Sequence, residues 1–321
     1  MRLPACFKPN DKSSTAMGAR KEDKLMISLP PTVKEVMGQG RLPAYAIEND
    51  FGTALVYKQG AHVAEWAPTG QRPVLWMSAE SPFVEGTPFR CGMPICGPWF
   101  GKGADGKQDP LHGFFRILPW QLLLAKQTDA GITILDFGLV STNQTMAWWP
   151  YRFELKYRVA VGPEFLYLSL QVTNTGTKTF TFEEMLHTYL AVSDVRMVKM
   201  VGLSGYDYID KAGGKKENRK QGESFIIFGD EVDRVYEGHQ CDCMVVDPTF
   251  RREITVTKRA NTTVIWNPGP VRACAIPYFG NDEWPNMVCV ESGNAGADAQ
   301  TLGPSESTTM FVKITSQMTT E

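Results

Sequence analysis

An all-β fold, a large antiparallel sandwich, is predicted by three features of this 321-residue chain. The first is the stretch from Arg152 to Val161. Phe153, Leu155, Tyr157, Val159 and Val161 alternate there with Arg152, Glu154, Lys156 and Arg158, the spacing of a strand with one buried and one wet face. The second is its repetition after Gly162-Pro163-Glu164, where Leu166, Leu168, Leu170 and Val172 alternate with Tyr167, Ser169, Gln171 and Thr173. Two such runs across a Gly-Pro turn read as an antiparallel hairpin. The third is the recurrence of short runs of this kind along the chain, with no helical periodicity of comparable length.

Taken in order, residues 1–28 are poor in large apolar side chains and rich in Lys, Ser and Pro, a composition that cannot offset its ordering entropy. They read as a disordered tail. An organelle transit peptide is the sharper alternative, and Asp11, Glu22 and Asp23 count against it because such peptides avoid acidic residues. Strands follow at Thr53–Tyr57, Trp120–Ala125 and Ile132–Phe137, then the hairpin, then Thr179–Val192 and Ser224–Phe228. Ile254–Thr257, Thr263–Trp266, Met287–Val290 and Thr309–Ile314 complete the set, with Gly, Pro, Asn and Asp between them. Lys211–Glu223, with Lys215, Lys216, Arg219 and Lys220, reads as a long solvated loop. With no linker composition and no internal repeat after the tail, residues 29–321 read as one domain.

Composition narrows the function. The formal net charge of −2 and the lack of a basic stripe give no electrostatic case for nucleic acid. No apolar run approaches the roughly 20 residues that span a bilayer. The seven cysteines are scattered, without zinc-ligand or redox spacing and without a secretory signal before them, so a reducing compartment, most simply the cytosol, is expected. A monomer is expected.

Few residues look chemical. Two of the four histidines lie in segments that packing alone does not explain, His112 in Leu111-His112-Gly113-Phe114-Phe115-Arg116 and His187 in Met185-Leu186-His187-Thr188-Tyr189. Glu291 ends the apolar run Met287-Val288-Cys289-Val290. Two imidazoles and a carboxylate near hydrophobic strands form an acid/base set that needs no metal. Two of them also have a plainer reading, His187 as a hydrogen-bonded core histidine and Glu291 as a solvated strand end, whereas His112, in a loop before a glycine, is the better functional candidate. Asp233 and Arg234 lie in an edge strand or loop. Arg90 opens Arg90-Cys91-Gly92-Met93-Pro94-Ile95-Cys96-Gly97-Pro98-Trp99-Phe100-Gly101, a nearly uncharged run that reads as a rigid wall holding one guanidinium. With Arg116, and Lys102 as a further candidate, it suits a phosphate. The glycines of 101–106 are no nucleotide loop, lacking the Gly-Lys-Ser/Thr ending and a following helix. Trp66, Trp99, Trp148, Trp149 and Trp284 are candidates for a flat sugar platform, most of them being core.

In order, these segments form a pattern. Arg90–Gly101, His112-Gly113-Phe114-Phe115-Arg116, Leu186-His187-Thr188-Tyr189, Val192-Ser193-Asp194 with Gly202-Leu203-Ser204-Gly205, and Asp233-Arg234-Val235-Tyr236 are followed by three more. These are Val264-Ile265-Trp266-Asn267-Pro268, Asp282-Glu283-Trp284-Pro285-Asn286 running on to Glu291, and Leu302-Gly303-Pro304. From about residue 45 onward the chain resembles the hexose-6-phosphate mutarotases of the aldose 1-epimerase superfamily. The resemblance implies a galactose-mutarotase-like β-sandwich with the sugar on one concave face. It implies His187 as general acid, Glu291 as general base, and His112, Arg90 and Asp233 on the sugar or its phosphate, with neither metal nor cofactor. The chain departs from the family at Cys91, where glycine is usual, at Gly97, where an aromatic often stands, and at Ser292, where proline usually follows the glutamate.

Exchange of sugar anomers requires a base on the C1 hydroxyl and an acid on the ring oxygen. A carboxylate, which ordinarily titrates near about 4.3, suits the first role. An imidazole, which ordinarily titrates near roughly 6.5 and is raised further by a neighbouring carboxylate, suits the second. The alternatives are an epimerase of unphosphorylated sugars and a non-catalytic sugar-phosphate-binding protein.

Overall fold

The hairpin dictated by the alternation is present: Phe153–Gly162 pairs with Phe165–Asn174 in unbroken antiparallel register. Leu166, Leu168, Leu170 and Val172 are wholly buried and the residues between them half-exposed, as befits a strand with one wet face. The structure is a computed structural model and describes residues 27–319. The tail expected at residues 1–28 therefore lies outside the described residues except for Ile27 and Ser28.

The hairpin belongs to a nine-stranded antiparallel sheet. Its order is Phe225–Ile226, Lys199–Val201, Cys243–Asp247, Arg252–Arg259, Ser307–Met318, Phe165–Asn174, Phe153–Gly162, Thr133–Val140 and Gln121–Gln127. An eight-stranded sheet runs Glu217–Lys220, Asp207–Asp210, Val232–Tyr236, Thr262–Asn267, Met287–Asn294, Glu184–Leu186 and Ile95–Cys96, with Tyr189–Ala191 also on Met287–Asn294. The two sheets share one apolar interior. Leu168, Val256 and Ile314 enter it from the first, Leu186, Ile265, Val288 and Val290 from the second. A four-stranded meander from Val33–Met37 to His62–Pro68 adds Val56, Val63 and Trp66. This is the β-sandwich expected from the sequence.

Several expected boundaries are corrected. Thr179–Val192 is not one strand but three, Phe180–Phe182, Glu184–Leu186 and Tyr189–Ala191. The chain leaves the ladder where the His187 N–H donates to the Pro94 carbonyl and the Thr188 N–H to that of Leu186. The Met287 strand does not stop at Val290 but runs to Asn294 with all of its residues buried, so Glu291 is mid-strand and not at an end. Both faces of that strand are covered, which makes it read as a continuous apolar run until its polar residues begin. Val232–Tyr236 is an interior strand, neither edge nor loop. The expected loop Lys211–Glu223 contains the edge strand Glu217–Lys220, whose four residues are all exposed and show no apolar alternation. No helix of the described residues is long and apolar enough to cross a membrane. Cys91, Cys96, Cys241, Cys243, Cys274 and Cys289 are free thiols.

Candidate active site

Strand register builds the site. Leu186 pairs with Ser292 and Tyr189 with Cys289, so His187 and Thr188 between them lie opposite Glu291 and Val290. Facing residues of an antiparallel pair share a sheet face, and these two side chains meet: His187 Nε2 lies 3.3 Å from Glu291 Oε1. The register extends across the sheet. Val264 faces Glu291 and Val235 faces Val264, while one step along, Trp266 faces Cys289 and Asp233 faces Trp266. One surface therefore collects His187, Tyr189, Glu291, Trp266 and Asp233. The alternating residues Leu186, Leu190, Val288 and Val290 go to the core.

The two loop motifs form the wall beside His187. Ile95–Cys96 pairs with Leu186 and Met185, which fixes the Arg90–Gly101 run to the edge of the same sheet. The Gly97 N–H then donates to the His112 carbonyl, and the Phe115 N–H to the Gly97 carbonyl. This close approach needs glycine at 113: its φ is +72°, and a Cβ there would lie 1.9 Å from the Gly97 oxygen. His112, itself at φ 63°, accepts at Nδ1 from the Gly101 N–H at 3.2 Å, which leaves Nε2 to carry the ring proton. Its ring stands edge-on to that of His187 at 5.7 Å. Arg90 is half-buried, with Nε donating to the Pro277 carbonyl at 3.4 Å, and its charge bears on Tyr189 and His187. Arg116 is only 6% exposed; Nη2 donates to the Leu111 carbonyl at 2.6 Å and Nε has no partner.

The electrostatics are those of a buried pair. Burial, then Arg116 and Arg90, push the His187 imidazole down to about 3. Burial and the charge of Asp233 lift Glu291 well above the usual carboxylate range, against the pull of Lys211 and Arg116. The sequence-based expectation that a carboxylate neighbour raises the imidazole is thus corrected, because desolvation outweighs it. Asp233 is raised to about 6 by burial, with Lys211 opposing. His112 is held neutral by burial and by Arg116. His187 Nδ1 and Glu291 Oε2 are buried and without hydrogen-bond partners. Such groups cost on the order of 1–3 kcal/mol each, a penalty that marks a place built for a ligand.

His187, Cys289 and Glu291 each bring a possible metal-ligand atom within 4.8 Å of one another. Burial holds the Cys289 thiol protonated, and Arg116, Arg90 and Lys211 all act on this space. Those cations oppose a metal dication and favour an anionic, hydroxyl-rich ligand.

All six residues singled out in the sequence, His187, Glu291, Arg90, His112, Arg116 and Asp233, act on this one site. The tryptophans do not. Trp66, Trp99, Trp149 and Trp284 are buried elsewhere, and the indole beside the pair is Trp266, half-exposed and 6.2 Å from the His187 ring. Its strand, Thr262–Asn267, has apolar residues on both faces, so the sequence carried no alternation that would have singled it out. Lys211 was also missed, as part of an apparent loop.

Residues 43–315 match the family described as aldose 1-epimerase. The chain belongs to the aldose 1-epimerase family. It is similar to a Salmonella typhimurium protein provisionally named glucose-6-phosphate 1-epimerase, 36% identical over 243 residues, 75% of this chain and 80% of that one. A crystal structure from the same organism, provisionally described as a mutarotase, superposes with a TM-score of 0.82 at 30% identity, covering 91% of this chain and 96% of that one. A galactose mutarotase related enzyme from Lactobacillus acidophilus shares the fold, with a TM-score of 0.71 at 15% identity over 87% and 98% of the two chains. The protein is thus an epimerase with the galactose-mutarotase-like sandwich. Two departures from the family pattern have a physical account in this epimerase. The ring of Phe115 stands 2.4 Å from where a Gly97 Cβ would be, filling that space from the other side. Cys91 packs away from the site, among Ala44, Tyr57 and Phe89. Nothing in the structure explains Ser292, whose buried hydroxyl has no partner.

Proposed function

We propose that this epimerase interconverts the α and β anomers of a hexose 6-phosphate, most simply glucose 6-phosphate, by opening and reclosing the ring at C1. The observation that carries the reading is the His187–Glu291 pair, 3.3 Å apart on one sheet face with an unpartnered atom on each side chain. Glu291 takes the proton from the C1 hydroxyl while His187 delivers one to the ring oxygen. The aldehyde rotates, and the same groups reverse the step. The pair carries one mobile proton throughout, so no external acid or base is consumed. General acid–base catalysis of this kind contributes on the order of 10²–10⁴ in rate.

Trp266 offers a half-exposed ring against the sugar, and Asp233 and the His112 Nε2–H offer an acceptor and a donor for its hydroxyls. Arg90 takes the phosphate, and Arg116 adds its charge from behind. Arg90 depresses the His187 imidazole. A phosphate on Arg90 therefore cancels a charge that opposes protonation of the acid, which favours the His187 imidazolium that begins ring opening. The name of the Salmonella relative supports the phosphate ester. The second reading, an epimerase of free sugars, is favoured by the turn of Arg116 toward Leu111. We further infer a cytosolic monomer, since the described cysteines are free and the acid/base pair is complete within one chain.

The test is anomer exchange measured on glucose 6-phosphate, glucose and galactose side by side. The reading expects the largest rate constant kcat/KM on the phosphate ester. A preference for either free sugar selects the second reading, and exchange on none of the three removes both.

A further inference from the structure

One charged residue at the site is used neither as acid or base nor as phosphate anchor. Ile209 pairs with Val235 and Asp210 with Arg234. Lys211, whose N–H donates to the Asp233 carbonyl at 2.7 Å, therefore lies opposite Asp233 and on its side of the sheet. Asp233 faces Trp266, which faces Cys289, two residues from Glu291 on the same face. Two carboxylates thus share one largely desolvated surface, and each opposes ionisation of the other. Lys211 is half-exposed, and among the described residues its ammonium has no hydrogen-bond or ion-pair partner.

We propose that Lys211 is a positioning residue that keeps Asp233 and Glu291 in their anionic forms, the first as an acceptor for a sugar hydroxyl and the second as the base at C1. The proposal rests on the reading of Glu291 given above. Each carboxylate has other charged neighbours. Around Glu291 these are His187 between two adjoining strands, Asp233 across the sheet and Arg116 from the loop wall, with the titratable Cys289, Cys96 and Tyr189 beside them. Around Asp233 they are Glu231, Asp210 and Arg272. Lys211, by its charge, opposes the upward push of burial on both carboxylates. It approaches from the open side, where a small change of side chain leaves the core intact. Its sign is also right for the work: an acceptor and a base are useful only when charged, and burial opposes that charge in both.

The test is the pH profile of kcat/KM for wild type, Lys211→Met, Lys211→Arg and Glu291→Gln, on both glucose 6-phosphate and glucose. With Lys211 removed, the acid limb should move to higher pH. The loss relative to wild type should then be roughly tenfold near pH 6, one unit of displacement being a factor of ten, and about twofold or less near pH 8.5. The two sugars should behave alike, and Lys211→Arg should restore the profile. A loss that is constant with pH, a rise in KM confined to the phosphate ester, or no change at all would overturn the role. Should Lys211→Met melt early, Lys211→Gln carries the same test. An inactive Glu291→Gln beside an unmoved Lys211→Met profile removes only the role of Lys211. A Glu291→Gln variant as fast as wild type removes the reading of the base as well.

Discussion

Arg90 and Arg116 show how two identical side chains acquire different uses from their surroundings. Arg116 is almost fully buried and commits a hydrogen bond to the Leu111 carbonyl, so it acts on the site mainly as a fixed charge. Arg90 is half-buried, held by a 3.4 Å contact to the Pro277 carbonyl and by the Tyr189 hydroxyl, and its guanidinium can still take two phosphate oxygens. A hydrogen bond to a charged group is worth about 1.5–3 kcal/mol. Arg90→Ala should therefore raise KM for glucose 6-phosphate by about ten- to a hundredfold while changing glucose by less than about threefold. Steady-state kinetics on the two sugars check this, and equal losses would take Arg90 out of the phosphate role. At this scale the sequence was legible where a residue was unusual for its setting. A glutamate closing an apolar run and a histidine before a glycine both stood out. Trp266 and Lys211 did not, because an indole in a strand looks like core and a lysine beside glycines looks like a solvated loop.

The elements matter because they bring such residues into register. The Arg90–Gly101 run and the His112 motif touch at Gly97 and Gly113, where the two backbones approach too closely for any side chain. Gly113→Ala would place a Cβ against the Gly97 carbonyl at a positive φ. We expect a loss of about 1–3 kcal/mol, read as a lower melting temperature, and a fall in activity as His112 and the Arg90 wall shift. A variant with wild-type melting and rate would mean that the contact does not hold the wall. Strands with one wet face, such as Phe165–Asn174, were fully readable because their alternation survives. Strands covered on both sides, such as Met287–Asn294, gave their presence but not their end. The short exposed Glu217–Lys220 gave neither, since nothing in four polar residues distinguishes edge strand from loop.

At the scale of the molecule, the sandwich solves a problem that no local segment can. It desolvates a histidine and a glutamate together without separating them. The apolar interior shared by the two sheets covers one side of the eight-stranded sheet, and the loop wall and Trp266 enclose the other, where the pair sits. Burial makes both groups less willing to carry charge, while Lys211, Arg116 and Arg90 supply the field that sets which of them does. This balance was out of reach from sequence, which offered a free imidazole beside a free carboxylate and hence the wrong direction for His187. The order of motifs did give the fold and name the histidine and glutamate that lie 3.3 Å apart, because those depend on pattern and not on depth of burial.

The most direct measurement is the rate of anomer exchange on glucose 6-phosphate, by polarimetry or by NMR exchange spectroscopy, in Glu291→Gln and His187→Asn beside wild type, with melting curves for all three. The account expects each variant to lose on the order of 10²–10⁴ in rate while keeping a folded, cooperatively melting protein. Near-wild-type exchange in either folded variant would contradict it.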